Sequence, residues 1–76
     1  MIHYLKLREL RSAKGMTQKE LADILDVSET TIFKYEKGIM KPSLERAMQL
    51  ADALECSLDD LVDMQAYIYN LYNKNK

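Results

Sequence analysis

Seventy-six residues allow one domain and one core, because a chain of this size buries only about 60% of its unfolded surface and has no room for a second deep site. Apolar residues make up 47% of it, with two glycines and one proline, which favours helices and excludes a disordered or all-β chain. A net charge of −1 excludes a strongly basic protein, and Cys56, the single cysteine, excludes an internal disulfide.

Residues 4–14 (Y-L-K-L-R-E-L-R-S-A-K) read as a first helix, with Leu7 and Leu10 inward, Leu5 at the edge, and Lys6 and Glu9 outward. Gly15 can take the left-handed conformation that ends it. Thr17 starts a second helix, with Glu20 three residues on as the partner of a capping box. Leu21, Ala22 and Leu25 form its apolar stripe. Capping leaves other amides of that first turn free, and a helix N-terminus attracts phosphate. Gln18 stands there, able to donate to a phosphate oxygen and to support a neighbouring side chain. Only Asp26 and Val27 remain for the turn before Ser28 caps a third helix. Two residues are too few for antiparallel packing, so the helices must cross steeply, with the small Ala22 at the close approach. Asp tolerates the left-handed region better than most residues, so Asp26 can make the turn at some cost in strain.

At about 100° per residue in the third helix, Ile32, Tyr35 and Glu36 face the core, while Thr30, Phe33, Lys34 and Lys37 face away. Glu29 and Thr31 flank its first turn, and Gly38 ends it. I-M-K-P then leads to Ser43, the cap of a fourth helix in which Leu44, Ala47, Leu50, Ala51 and Leu54 form a core stripe. Ser57, with Asp59 and Asp60 in its first turn, starts a fifth helix that buries Leu58, Leu61 and Val62. Residues 1–63 thus read as an all-α, five-helix domain, and residues 64–76 as a C-terminal helical tail with frayed last residues. In the tail Leu61, Gln65, Ile68 and Tyr72 fall on one stripe with Met64 and Leu71 beside it, so the fifth helix continues or a sixth follows. Tyr67, Tyr69 and Tyr72 make the tail aromatic. Such a tail suggests a partner surface; folding back over the first helix is the alternative.

No catalytic constellation is present. His3 is the only histidine, Cys56 the only cysteine, and no glycine-rich phosphate loop exists, so enzyme, metal, cofactor and small-molecule readings lack their parts. Cys56 reads as a small core residue, His3 as a solvated terminal one, and Met16, Met40, Met48 and Met64 as gap fillers. Asp59, Asp60 and Asp63 could form a cation cluster, but two of them are better explained as favourable charges at a helix N-terminus. No apolar run approaches the ~18 residues of a membrane span and no signal-peptide core opens the chain, which with the lone cysteine points to the cytoplasm.

Two helices joined steeply by a few residues describe a helix-turn-helix, whose second helix is placed for the DNA major groove. Residues 1–46 carry nine Lys/Arg against seven Asp/Glu, a local +2 that leaves the reading open despite the overall charge. The stretch resembles the DNA-binding helix-turn-helix of phage repressors and Cro, the XRE-type family. T-Q-x-E-L-A at 17–22, V-S-x-x-T-I at 27–32, Y-E-x-G at 35–38 and K-P-S-L-E at 41–45 carry the resemblance. L-R-x-x-x-G-M-T-Q upstream and L-A-D-A-L-x-x-S-L-D-D-L downstream continue it in register from about Leu5 to Leu61. Asp26 and Glu55 stand where members of that family commonly have glycine.

The resemblance implies a lambda-repressor-like fold and a sequence-specific transcriptional regulator, most often a repressor, acting as a homodimer on double-stranded DNA with a pseudo-palindromic operator. It also implies an ion pair between Arg11 and Glu36 that joins the first and third helices. If the third helix enters the major groove N-terminus first, Glu29, Thr30, Thr31, Phe33 and Lys34 reach the bases, with Phe33 meeting thymine methyls or else packing on its neighbours. Thr17, Gln18, Lys19, Ser28, Lys37 and Lys41 then touch phosphates. Ile68, Leu71 and Tyr72 are the apolar candidates to hold two copies together. The alternative function is a protein-interaction module on the same fold, such as an antitoxin or anti-regulator; retained Gln18 and Thr31 favour DNA.

Overall fold

The computed structural model of the protein describes residues 4–73; His3 and the last three residues lie outside that range. Six helices follow one another: α1 (Leu7–Ala13), α2 (Gln18–Leu25), α3 (Glu29–Lys37), α4 (Leu44–Ala53), α5 (Leu58–Leu61) and α6 (Met64–Asn73). Thr17, Ser28, Ser43 and Ser57 have extended backbone and accept from the amide three residues on, which satisfies one otherwise orphaned donor at the start of each of α2 to α5. Thr17–Glu20 and Ser57–Asp60 complete full capping boxes.

The core gathers Leu5, Leu7, Leu21, Ala22, Leu25, Ile32, Tyr35, Ala47, Leu50, Ala51, Leu54 and Leu61. The α2 stripe of Leu21, Ala22 and Leu25 faces both α3 and α4, and Ala22, almost wholly buried, keeps the crossing with α3 close. The chain is all-helical among the described residues, with one isolated antiparallel bridge between Leu5 and Val62.

That bridge corrects the expected start of the first helix. Residues 4–6 are not helical: the Lys6 amide donates to the Leu61 carbonyl (2.8 Å) and the Asp63 amide to the Tyr4 carbonyl (2.7 Å). Backbone groups satisfied across the fold have no need of a helical turn, so α1 begins at Leu7, and Leu5, expected at a helix edge, is buried in the bridge. Val62 takes part in the same bridge with φ −108° and ψ 124°, which ends α5 and lets Asp63 cap a separate α6 through its side chain to the Ala66 amide (3.1 Å).

Three apolar expectations also change. Leu44, placed on the core stripe of α4, is 71% exposed at the first helical position. Leu58 and Val62 are only partly buried, because a helix of four residues offers the core a single full position, taken by Leu61. Met40, Met48 and Met64 fill no gaps but lie at the surface, while Met16 packs against the core. Cys56 is half-buried beside the core, where desolvation pushes its thiol up from its ordinary range.

Candidate nucleic-acid interface

The turn between α2 and α3 is built from Asp26 and Val27. Asp26 takes the left-handed conformation (φ 57°, ψ 45°) without glycine's freedom, and the Val27 amide closes the α2 end on the Ala22 carbonyl at 3.0 Å. Glu55 adopts the same conformation (φ 55°) and pairs with Lys14, which holds its carboxyl below the usual range. A support that sequence reasoning missed lies beneath the turn. Arg46 of α4 donates through Nη1 to the Leu25 carbonyl (3.2 Å), one of the orphan acceptors at the end of α2, and to Gln49 Oε1 (2.8 Å). Only the packing of α4 on α2 brings that arginine there, so spacing along the chain carried no signal of it.

A second network fixes α3 against α1. Glu36, with a side chain only 4% exposed, accepts from Arg11 Nε at 2.6 Å and Arg11 Nη2 at 3.2 Å. Gln18 Nε2 donates to the same carboxylate at 3.0 Å, and Arg11 Nη1 reaches the Met16 carbonyl at 2.7 Å. The hydrogen bond and charge of Glu36 raise the Arg11 pKa above its ordinary value. Residues of α1 and α2 thus converge on one α3 carboxylate, and the α1–α2 loop holds the arginine that binds it. A buried charge so fully partnered is tolerated where an isolated one would not be.

With Ile32 and Tyr35 buried, α3 turns its other side outward. Glu29, Thr30 and Phe33 are exposed, and Thr31 and Lys34 half-exposed, on the outer side and first turn of the helix. Ser28 Oγ accepts from the Thr31 amide at 3.1 Å and lies 2.9 Å from Thr31 Oγ1, so the two hydroxyls form one polar cluster at the α3 N-terminus. Thr17, capped by Glu20, and Gln18 stand at the α2 N-terminus. There the Glu20 carboxyl, hydrogen-bonded to the Thr17 backbone, is held below the usual carboxylate range. Lys19 is exposed and pairs loosely with Asp23 (3.5 Å), Lys37 ends α3 with its amine over the Phe33 ring (5.8 Å), and Lys41 is exposed in the segment leading to α4. Ile68, Leu71 and Tyr72 are exposed on α6, a separate element from this face. Among the described residues no group of three or more His, Cys, Asp or Glu is placed to hold a metal ion.

A sequence profile of the helix-turn-helix family matches residues 7–61, from the start of α1 to the end of α5. The chain belongs to the XRE-type helix-turn-helix family. Its members are DNA-binding transcriptional regulators, not enzymes. Among its relatives, the cryptic phage CTXphi transcriptional repressor RstR of Vibrio cholerae is 41% identical over 56 residues, covering 74% of this chain and 50% of that protein. An HTH-type regulator of Archaeoglobus fulgidus is also 41% identical over 56 residues, covering 74% of this chain and 80% of that protein. The P22 c2 repressor, solved in complex with a synthetic operator, superposes with a TM-score of 0.70 at 30% identity, covering 75% of this chain and 86% of that one. The chain spans only 18% to 49% of the length of several other curated relatives it matches. These likenesses bear out the expected lambda-repressor-like, all-helical fold.

Proposed function

We propose that this chain is a sequence-specific repressor that binds a pseudo-palindromic operator as a homodimer, each copy laying α3 in the major groove. The observation that carries the reading is the division of α3. Its inner side is locked by Ile32, Tyr35 and the Arg11–Glu36–Gln18 network, while Glu29, Thr30, Thr31, Phe33 and Lys34 are left outward on a rigid helix. A helix that must hold its register against a groove needs such a rear anchor. Family membership and the P22 c2 repressor's structure with operator support the same reading.

The division of labour follows from the chemistry of the side chains. Lys34 can donate to guanine O6 and N7, Glu29 can accept only from an amino group such as cytosine N4, and Thr30 and Thr31 offer methyl and hydroxyl contacts. Thr17, Gln18, Lys19, Ser28, Lys37 and Lys41 ring this face and are assigned to phosphates. One domain supplies one recognition helix, whereas half-sites about 34 Å apart require two. The exposed Ile68, Leu71 and Tyr72 stripe of α6 is therefore assigned to self-association, with the domain boundary at residue 63.

Selection of bound sequences from random duplex DNA, followed by gel shift over a salt series, tests the reading. A two-fold symmetric consensus bound by two copies is the expected result. Absence of any preferred sequence would instead favour a protein-interaction module on this fold.

A further inference from the structure

Between α1 and α3 lies an open depression of about 330 Å³ lined by Arg8, Arg11, Gln18, Phe33, Glu36 and Lys37. Its floor is electrically closed. Both oxygens of the Glu36 carboxylate are occupied, Oε2 by Arg11 Nε and Oε1 by Arg11 Nη2 and Gln18 Nε2, so the one acid there is matched by the one arginine beside it. The walls are not closed. Arg8 is exposed on α1 and makes no ion pair among the described residues, and neither does Lys37. The depression therefore presents two uncompensated cations over a neutral floor.

Phe33 sits at its rim, 41% exposed. Its ring face is taken by the Lys37 amine, 5.8 Å from the centroid and one turn further along the same helix. A flexible lysine at the last position of a helix would otherwise lose rotamer freedom to be held in one place. The ring quadrupole restrains it without neutralising it, which a carboxylate partner would do.

From this arrangement we propose that Arg8 and Lys37 form a cradle for a DNA backbone phosphate beside the half-site, and that Phe33 acts as the platform that positions Lys37 rather than as a reader of bases. The inference rests on the DNA-binding reading above and adds α1 to the contact surface. A phosphate fits the site because it accepts from a guanidinium and an ammonium together and needs no buried partner. The contact would help to fix the tilt of α3 in the groove without carrying sequence information.

The test uses the whole chain in anisotropy titrations with two duplexes, the selected operator and an unrelated sequence, over a salt series. Arg8→Gln and Lys37→Gln should each make the slope of log K against log salt shallower by about 0.9, and should weaken both duplexes alike. Phe33→Ala should weaken both duplexes by the same factor, about two- to fivefold, and leave the selected sequence unchanged. Thermal melts verify that these exposed substitutions keep the fold. An unchanged slope in Arg8→Gln, in a background where the parent binds DNA, overturns the cradle and leaves the DNA-binding reading standing. A Phe33→Ala protein that selects a different base at one position makes the ring a base reader and overturns its role as a platform. A parent that binds neither duplex removes the underlying reading, and the cradle with it.

Discussion

The helix-turn-helix and the last helix are built from opposite materials. α2 and α3, seventeen residues together, bury Leu21, Ala22, Leu25, Ile32 and Tyr35, carry a side-chain cap at each start and share a partnered carboxylate. α6, with ten residues, buries only Ala66 and leaves Met64, Tyr67, Ile68, Tyr69, Leu71 and Tyr72 exposed; one of its aromatic rings, Tyr67, meets Tyr4 edge-on with centroids 5.3 Å apart. The first region is specified by contacts within the chain. The second is held by its root and keeps an apolar face that the described domain does not cover, which is why self-association is proposed for it.

The largest effect should come from striking the first region at its anchor. Arg11→Met leaves the Glu36 charge with Gln18 as its only partner and frees the Met16 carbonyl, so urea denaturation should show a loss of about 3–5 kcal/mol, most of the stability of so small a domain. Replacing Arg11 and Glu36 together by apolar residues should recover much of that loss. An Arg11→Met protein as stable as its parent would show that the network contributes nothing. In the second region the converse holds: Ile68→Asp with Leu71→Asp should change stability by no more than about 0.5 kcal/mol, as exposed substitutions do. On the proposed self-association through α6, sedimentation should then find dimers for the parent and monomers for the double variant, with operator binding weakened. A double variant that still sediments as a dimer would move the self-association surface elsewhere.

Smaller effects sharpen the map of the first region. Lys34→Ala should cost about 1–3 kcal/mol at one base pair per half-site and relax the preference there, whereas Lys41→Ala should weaken all sequences alike and flatten the salt slope by about one unit. Interchanged outcomes in a selection experiment would reverse the two roles. Asp26→Gly should raise stability by roughly 0.5–1 kcal/mol, since glycine takes the left-handed turn with no side-chain penalty. The least effect concerns acid. Glu20 has a folded pKa below its ordinary 4.5, so its capping contribution is complete above that value and is lost as pH falls through the folded pKa. Glu20→Gln should remove that part of the acid limb in a pH series of thermal melts, so that stability depends less on pH below the ordinary 4.5.

How much of this was legible in the sequence follows the range of the interactions. Caps at Thr17, Ser28, Ser43 and Ser57 act over three residues and could be read directly, as could the inward Ile32 and Tyr35 and the outward face they imply. The start of α1 could not, because Tyr4 and Lys6 spend their backbone groups on residues 61–63. Leu44 shows the limit of periodicity: a stripe tells which positions align, not whether the fold covers every one of them. The interface divides in the same way. Residues of α3 follow from helical geometry, but Arg8 on an amphipathic helix looks like any solvated cation until α3 brings Lys37 and Phe33 beside it, and Arg46 gives no hint of the carbonyl it holds.

The bridge between Leu5 and Val62 has a temporal meaning as well as a spatial one. It joins the first described residues to a segment more than fifty positions later, the most distant backbone pairing among the described residues in order of synthesis. On a growing chain α2 and α3 can pack through local contacts alone, while Tyr4–Lys6 wait unpaired until Leu61–Asp63 emerge. α2 and α3 thus have their partners near in sequence, whereas the backbone pairing of Tyr4–Lys6 closes the loop around the domain late in synthesis. A strand-like segment left waiting that long is also where a newly made copy is most open to pairing with the wrong chain.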